Sequence, residues 1–537
     1  MNMKIQNKSY ISFTDTMFYF FYTLMVLVKG FGFYEGQWPF DLGLIIACSF
    51  FVLYFLSSHN SLASFVISLM LLIIGILTVV YSGEFGALLN LMVLIGMNSI
   101  SERKIIRLSA FLWTIVFTVQ TLITCSGIRE NQVLRIHRKL GHYVIRWSMG
   151  FTHPNVFHIS YFIIICLLML AIRPHGKKLV KFSVFAFIGN LLFFLYSYSF
   201  TGLLIVTFYL IINSYIQHRK KRLLLVERVL LIVFTPLCIL FSVIGPIIIK
   251  GNLYEIINKA LSTRFSLSRY YLTTQKIGLF GTKIFDVPDA SYTIDSSYVY
   301  ALVHYGIVYF TLFCVLLVFC AYYLLKKHRY FEFAILISCS FAGITEQFLT
   351  NTSFKSIVFI FFGVMLYSLI DNCIMLPKRK CCLLAKRTWH IFTVGNCHIV
   401  DYSVVLSTYL KRIIHVTKCK RKQILCISLC GFIVGCLMYT FSVDKPKIIY
   451  ASPWDCDIKE GKEATQYTYY NDIKDNPDVW VLSNRDSAGK LYSFSGYTID
   501  FEYLRRAIGA GYSIELVFSC IAIILYVMWC RDDRRKL

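Results

Sequence analysis

Residues 127–153 hold Arg129, Arg135, Arg138, Lys139 and Arg146 against a single acid, Glu130. Guanidinium groups meet phosphate oxygens two at a time and stay charged at any cellular pH. The stretch suits a phosphate or pyrophosphate, and equally a solvated loop touching anionic headgroups. It runs into Arg146-Trp147-Ser148-Met149-Gly150-Phe151-Thr152-His153-Pro154-Asn155. His153 can exchange a proton near neutral pH, or cap the helix that Pro154 is suited to open. A second stretch, 250–296, carries Arg264 and Arg269 with Lys276 beyond them, then Gly278-Leu279-Phe280-Gly281, then Asp295-Ser296-Ser297-Tyr298. Asp295 can serve as a base or orienting group, or favour the N-terminus of a helix by its charge. Neither stretch holds an acidic cluster with metal-ligand spacing. Asp455-Cys456-Asp457 lies elsewhere and reads as chance, so neither a metal nor a cofactor is expected.

The elements that must position these residues are set by composition. The 537 residues are 57% apolar, 17% aromatic and 15% charged, with mean hydropathy +0.63. A soluble chain has about 25% charged residues, and this one has more apolar surface than a single water-facing core can hide. The reading is an all-α polytopic bundle in a lipid bilayer. A span needs about 20 apolar helical residues. Runs of that kind lie near 13–32, 39–57, 62–81, 84–100, 107–126, 154–172, 179–198, 201–217, 229–249, 297–324, 331–349, 355–375, 424–442 and 510–530, about fourteen transmembrane helices in all. The first run is long and lacks a cleavage pattern, so it reads as a span rather than a cleaved signal peptide. Most of the eighteen cysteines lie inside apolar runs, and no disulfide framework is visible.

Basic residues give the sidedness. Arg103, Lys104 and Arg107 follow the fourth run; Arg173, Lys177 and Lys178 the sixth; Arg219 to Arg222 the eighth; Lys326, Lys327 and Arg329 the tenth; Lys378 to Lys380 the twelfth; and Arg531 to Lys536 end the chain. All follow even-numbered runs, which places them and both termini in the cytoplasm. The net charge of +25 then reflects an anionic inner membrane face rather than nucleic acid. Three outer loops are long: 127–153, 250–296 and 443–509. The organisation expected is a membrane domain over 1–376, a basic cytoplasmic linker over 377–423, and a two-span hairpin over 424–537.

The run from Arg146 to Asn155 resembles the motif of Wzy-type polysaccharide polymerases of Gram-positive exopolysaccharide and capsule clusters, within the wider O-antigen polymerase and ligase group. The Arg264 run, Gly278 to Gly281, and Asp295 through Val303-His304-Tyr305-Gly306 are similar to the family's next block, so that the resemblance covers roughly 10–375. The chain departs at Phe200 in Ser199-Phe200-Thr201-Gly202, where the family often has arginine, and at Asp295-Ser296, where the wider group often has His-Asn. The resemblance implies a multi-pass protein of a bacterial plasma membrane. It would transfer a growing glycan from undecaprenyl pyrophosphate to the sugar of a lipid-linked repeat unit outside the membrane. Glycosyl transfer develops negative charge on the leaving oxygen, and fixed positive groups stabilise it. Arg146 and Arg264 are the implied pyrophosphate ligands, with Arg135, Arg138 and Arg269 behind them. His153 or Asp295 would orient or deprotonate the acceptor, and a flippase and a chain-length regulator are the implied partners.

Residues 399–416 place Ile399, Tyr402, Leu406, Leu410 and Ile413 at helical spacings before the basic run Lys418 to Lys422, as a helix lying on the inner membrane surface would. With the last two spans they resemble chain-length regulators of the Wzz type, although the outer loop is much shorter. A ligase moving glycan to another acceptor would share the pyrophosphate site. A flippase would carry polar groups at mid-span, where Asn190 and Glu346 are the candidates.

Overall fold

The computed structural model describes residues 10–58, 60–125, 134–139, 142–219, 223–284, 287–288, 292–374, 388–389, 398–400, 413, 415–451, 467–473, 476, 478–481, 490–494 and 497–532. Every apolar run forms a helix. These are α1 (Phe13–Gly30), α2 (Trp38–Ser57), α3 (Leu62–Ser82), α4 (Gly86–Gly96), α5 (Glu102–Cys125), α6 (Pro154–Ile172), α7 (Lys177–Ser197), α8 (Phe200–Arg219) and α9 (Leu225–Val243). After α9 come the short α10 (Gly245–Ile248), α11 (Gly251–Ala260) and α12 (Arg264–Thr274). The long helices resume as α13 (Ser297–Lys326), α14 (Tyr330–Ala342), α15 (Val358–Ile374) and α16 (Arg421–Ser442); after the short α17 (Tyr470–Ile473), α18 (Tyr497–Asp532) ends the described chain. Ten of the described helices are long and apolar enough to cross a membrane.

Burial separates centre from rim. The apolar stretch of α6 is 78% buried inside the protein, against 22% for α7 and 17% for α9. Phe185 on α7 and Leu225 on α9 stand 78% and 77% exposed. A continuous apolar rim of this kind is stable only against lipid.

Three expected spans are shorter than the sequence pattern suggests. Helix α4 has 11 residues, α14 has 13 and α15 has 17, so α4 is about 16 Å long. Helix α14 stops at Ala342 because the start of α13 takes over its end: Ser297 N and Ser296 Oγ donate to the Gly343 carbonyl at 2.9 and 3.1 Å. The residues after Gly343, expected to continue the eleventh span to 349, form a non-helical connection to α15.

Helix α13 is broken at Gly306 (φ 82°, ψ 176°). The amides of Ile307 and Val308 turn instead to the carbonyls of Gly278 and Leu279, at 3.1 and 3.0 Å. A Cβ on Gly281 would lie 1.9 Å from the His304 carbonyl oxygen, and one on Gly306 would lie 2.2 Å from Gly281 N.

The outer loops are not all helical. Strands β3 (Leu134–Lys139) and β4 (His142–Trp147) pair as the antiparallel arms of a hairpin. The last outer loop contributes β7 (Ile448–Ala451), β8 (Tyr467–Tyr469), β9 (Val479–Val481) and β10 (Lys490–Phe494) to a four-stranded sheet in the order β8-β10-β7-β9. On the other side, β1 (Tyr10–Ser12) pairs with β6 (His398–Val400), and β2 (Asn60–Ser61) with β5 (Thr388–Trp389). The amphipathic helix expected over 399–416 therefore begins as a strand, and residues 401–412 lie outside the described residues. Helix ends of the predicted cytoplasmic side share one ion cluster: Arg329 bonds Glu102 and, at 2.9 Å, Glu332, while Arg173 bonds Glu332 at 2.5 Å.

Candidate active site at the outer end of the bundle

Arg146 is 8% exposed although it sits on a hairpin strand. Its Nε donates to the Ser197 carbonyl at 3.0 Å, at the C-terminal end of α7, where helix carbonyls lack internal partners. Its Nη2 donates to Asn155 Oδ1 at 2.7 Å. The chain reaches α6 from β4 through Met149 (φ 50°) and Gly150 (φ 78°). Gln120 Nε2 of α5 donates to the Gly150 carbonyl at 2.5 Å, and a Cβ at Gly150 would lie 2.3 Å from that nitrogen. His153 caps α6, its Nδ1 accepting from the Asn155 amide at 3.1 Å, with Pro154 in the first turn.

Arg264 opens α12 after Ser262 (φ 54°) and Thr263 (φ 68°). Two consecutive non-glycine residues in the left-handed region are costly, about 1–3 kcal/mol each, and such strain gathers at functional sites. The guanidinium they present donates to Asp295 Oδ2 at 2.7 Å through Nε, to Thr201 Oγ1 at 2.9 Å through Nη1, and to Glu346 Oε1 at 3.4 Å through Nη2. Asn155 Nδ2 donates to the same Glu346 oxygen at 3.3 Å. Arg146, Asn155, Glu346, Arg264 and Asp295 thus form one chain of contacts across five segments. Asp295 does not cap α13; Ser296 occupies that position. The carboxylate of Asp295 is turned to Arg264 and to Thr293 Oγ1, 3.3 Å away.

These groups line a cavity of about 800 Å³, with Arg146, His153, Arg264, Asp295, Glu346 and Lys355 in its wall. Of the arginines that the sequence grouped together, Arg146 and Arg264 meet here. Arg135 stands opposite Arg146 in the hairpin register, and the side chains of Arg135 and Arg138 lie outside the described residues. Arg269 lies over the Tyr254 ring, 5.3 Å from its centre, and is not part of the cavity wall. Phe200 lines the cavity where the resembled family often carries arginine, and its neighbour Thr201 holds Arg264.

Two groups of the cavity wall lie within expected spans: Glu346, noted in the sequence only as a mid-span polar residue, and Lys355, which was not singled out. Glu346 sits in the connection between α14 and α15, and burial pushes its carboxyl up to about 7 against the opposing pull of Arg264. Lys355, 4% exposed in the same connection, donates to the Val156 carbonyl at 3.3 Å and faces the rings of Trp113 and Phe151. Burial and the nearby Lys29 push its ammonium down to about 7. The first signal for both was a charged residue within an apolar run. Asn190, the other polar residue noted at mid-span, has a structural role. Its Oδ1 lies 2.7 Å from Nε2 of the buried His158, whose Nδ1 meets Ser197 Oγ at 2.9 Å.

The cavity therefore offers two guanidinium groups to an anion, and a carboxyl able to take a proton near neutral pH. No protein-family model, curated protein or solved structure matches the chain.

Proposed function

We propose that the protein is a glycosyltransferase of a bacterial cell membrane. In this reading it polymerises polysaccharide by passing a glycan from undecaprenyl pyrophosphate to a lipid-linked repeat unit at the outer face. The observation that carries the reading is the meeting of Arg146 and Arg264 beside Glu346 in one cavity, although they come from different outer loops. The two arginines bind the donor pyrophosphate. Asp295 and Thr201 fix the direction of Arg264. The acceptor hydroxyl oxygen bonds to the anomeric carbon while the bond from that carbon to the phosphate oxygen breaks. Glu346 takes the hydroxyl proton, and lipid pyrophosphate leaves with the bonding electron pair. His153 orients the acceptor from the cavity wall. Pyrophosphate is a good leaving group, so the arginines supply charge stabilisation and no strong acid is needed.

The test is a gel of lipid-linked and surface glycan from cells lacking the gene, restored with the wild type, Arg146→Ala or Arg264→Ala. Single repeat units on lipid and loss of the long ladder on deletion, unrepaired by either well-expressed variant, support the reading. Long chains that persist on lipid make the protein a ligase. Repeat units trapped on the inner face make it a flippase.

A further inference from the structure

The C-terminal two-helix unit reaches the site through a buried ion cluster at the start of α18. Glu502 is fully buried and Arg505 is 3% exposed. Glu502 accepts from Trp147 Nε1 at 3.1 Å, from Arg506 Nε at 3.0 Å and from Arg505 Nη2. Arg505 then reaches both sides of Arg146. Its Nη2 donates to the carbonyl of Ile145, the residue just before Arg146, at 2.8 Å. Its Nη1 donates to the Leu195 carbonyl at 2.9 Å and the Tyr196 carbonyl at 3.4 Å. Arg146 takes the next carbonyl of that helix end, Ser197. Tyr196 Oη returns a bond to the Arg505 carbonyl at 3.0 Å. Phe501 lies under Arg505 and against Tyr198, a residue of the cavity wall.

Two cations thus occupy consecutive carbonyls at one helix C-terminus, where positive charge is favoured. The outer one belongs to the cavity and the inner one to α18. We infer that Arg505, held by Glu502, is a positioning residue for Arg146, so that the C-terminal unit completes the outer-face site. The role of Arg146 in this statement rests on the polymerase reading; the way it is held does not.

The consequence is that α18 and the outer sheet attached to it cannot shift without loosening β4 and the end of α7 together. Arg506 serves as an internal contrast. It bonds the same carboxylate but faces the rings of Trp147 and Trp480 rather than the end of α7.

The experiment is phenylglyoxal labelling of the purified full-length protein in detergent, with each modified arginine located by mass spectrometry. Arg505→Lys keeps the charge beside Glu502 but cannot span the separate carbonyls. Trp147→Phe keeps an aromatic ring and cuts the Trp147–Glu502 bond, one of the two links between α18 and β4, leaving the bond from Arg505 to the Ile145 carbonyl. Arg146 labelling is expected to rise roughly tenfold in Arg505→Lys and less in Trp147→Phe, the scale of losing buried hydrogen bonds. Arg264 labelling, and Arg146 labelling in Arg506→Gln, should stay at the wild-type level. Under the polymerase reading, the donor KM of Arg505→Lys rises more than kcat falls. If Arg505→Lys does not fold, Trp147→Phe decides alone. Unchanged Arg146 labelling in the folded variants overturns the inference, as does a parallel rise at Arg264 or in Arg506→Gln. Increased Arg146 labelling in a protein whose deletion leaves the glycan ladder intact upholds the positioning role and removes the polymerase reading.

Discussion

Arg264 donates to acceptors on three segments, so it is a joint as well as a charge. Lysine offers a single point donor and cannot replace that fork. Under the polymerase reading, Arg264→Lys is expected to lower polymerisation on the order of 100-fold, close to the loss in Arg264→Ala, measured as ladder synthesis at equal protein level. Asp295→Asn leaves a smaller loss, because the amide still accepts one bond. Glu346 gives the pH dependence. With its carboxyl raised to about 7, a base role makes activity rise as pH rises through about 7, and Glu346→Gln removes that limb. The same shifts act on stability with opposite signs. Folded Glu346 holds its proton more tightly than the unfolded chain does, so stability falls from the ordinary carboxyl range up to about pH 7. Folded Lys355 releases its proton early, near 7, so stability rises from there to the ordinary lysine range. Thermal unfolding in detergent should therefore show a dip near neutral pH, which Glu346→Gln makes shallower on its acid side. Arg146 and Arg264 were legible because an excess of basic residues in an outer loop is unusual, and Asp295 because it stands in the motif that opens the next helix. Glu346 was noted only as a mid-span polar group and Lys355 not at all, because an apolar run reads as helix until a helix end elsewhere interrupts it.

At the level of elements, the glycines of the second motif now have a physical account. Gly281 (φ 96°) and Gly306 (φ 82°) touch backbone to backbone, which no side chain permits. Gly281→Ala and Gly306→Ala are each expected to destabilise the fold by about 3 kcal/mol or more, seen as a lower thermal midpoint and loss of monodisperse protein. Neither should behave as a pure activity mutant. The motif's charged residues and its glycines thus do different work, and spacing alone could not separate them. The β3–β4 hairpin was missed for a related reason. Leu134 to His137 alternates apolar and basic residues as a strand does, but the excess of charge dominated the reading. The helices were legible nearly to their ends, except where tertiary contacts cut them short, as Ser296 and Ser297 do at Gly343, and except at α18, which was expected near 510 but begins at Tyr497, inside the expected outer loop.

For the whole molecule, the sidedness inferred from lysine and arginine is consistent with which segments meet. Arg146, Thr201, Arg264, Asp295, Glu346 and Glu502 come from five expected outer loops or their edges and gather at one end. Glu102, Arg173, Arg329 and Glu332 come from expected inner ends and meet one another. In a cysteine-depleted background, a membrane-impermeant maleimide on intact cells should label Lys259→Cys and should reach Lys326→Cys only after permeabilisation. The reverse pattern would invert the topology. The organisation expected from sequence put the C-terminal hairpin in a unit of its own. Its two helices do pack on each other, yet α18 also grips β4 and α7, a link made by residues far apart in the chain and so invisible to a linear reading.

The break in α13 has a further consequence for the timing of motion. The amides of Ile307 and Val308 are protected by Gly278 and Leu279 rather than by their own helix. In hydrogen–deuterium exchange these two amides should exchange at the rate at which the 278–281 loop undocks, well before their neighbours in α13. Under the polymerase reading, lipid pyrophosphate that steadies the Arg264 segment leading into this loop should slow them. Two backbone amides at the break in α13 would then act as a clock for events at the Arg264 cavity.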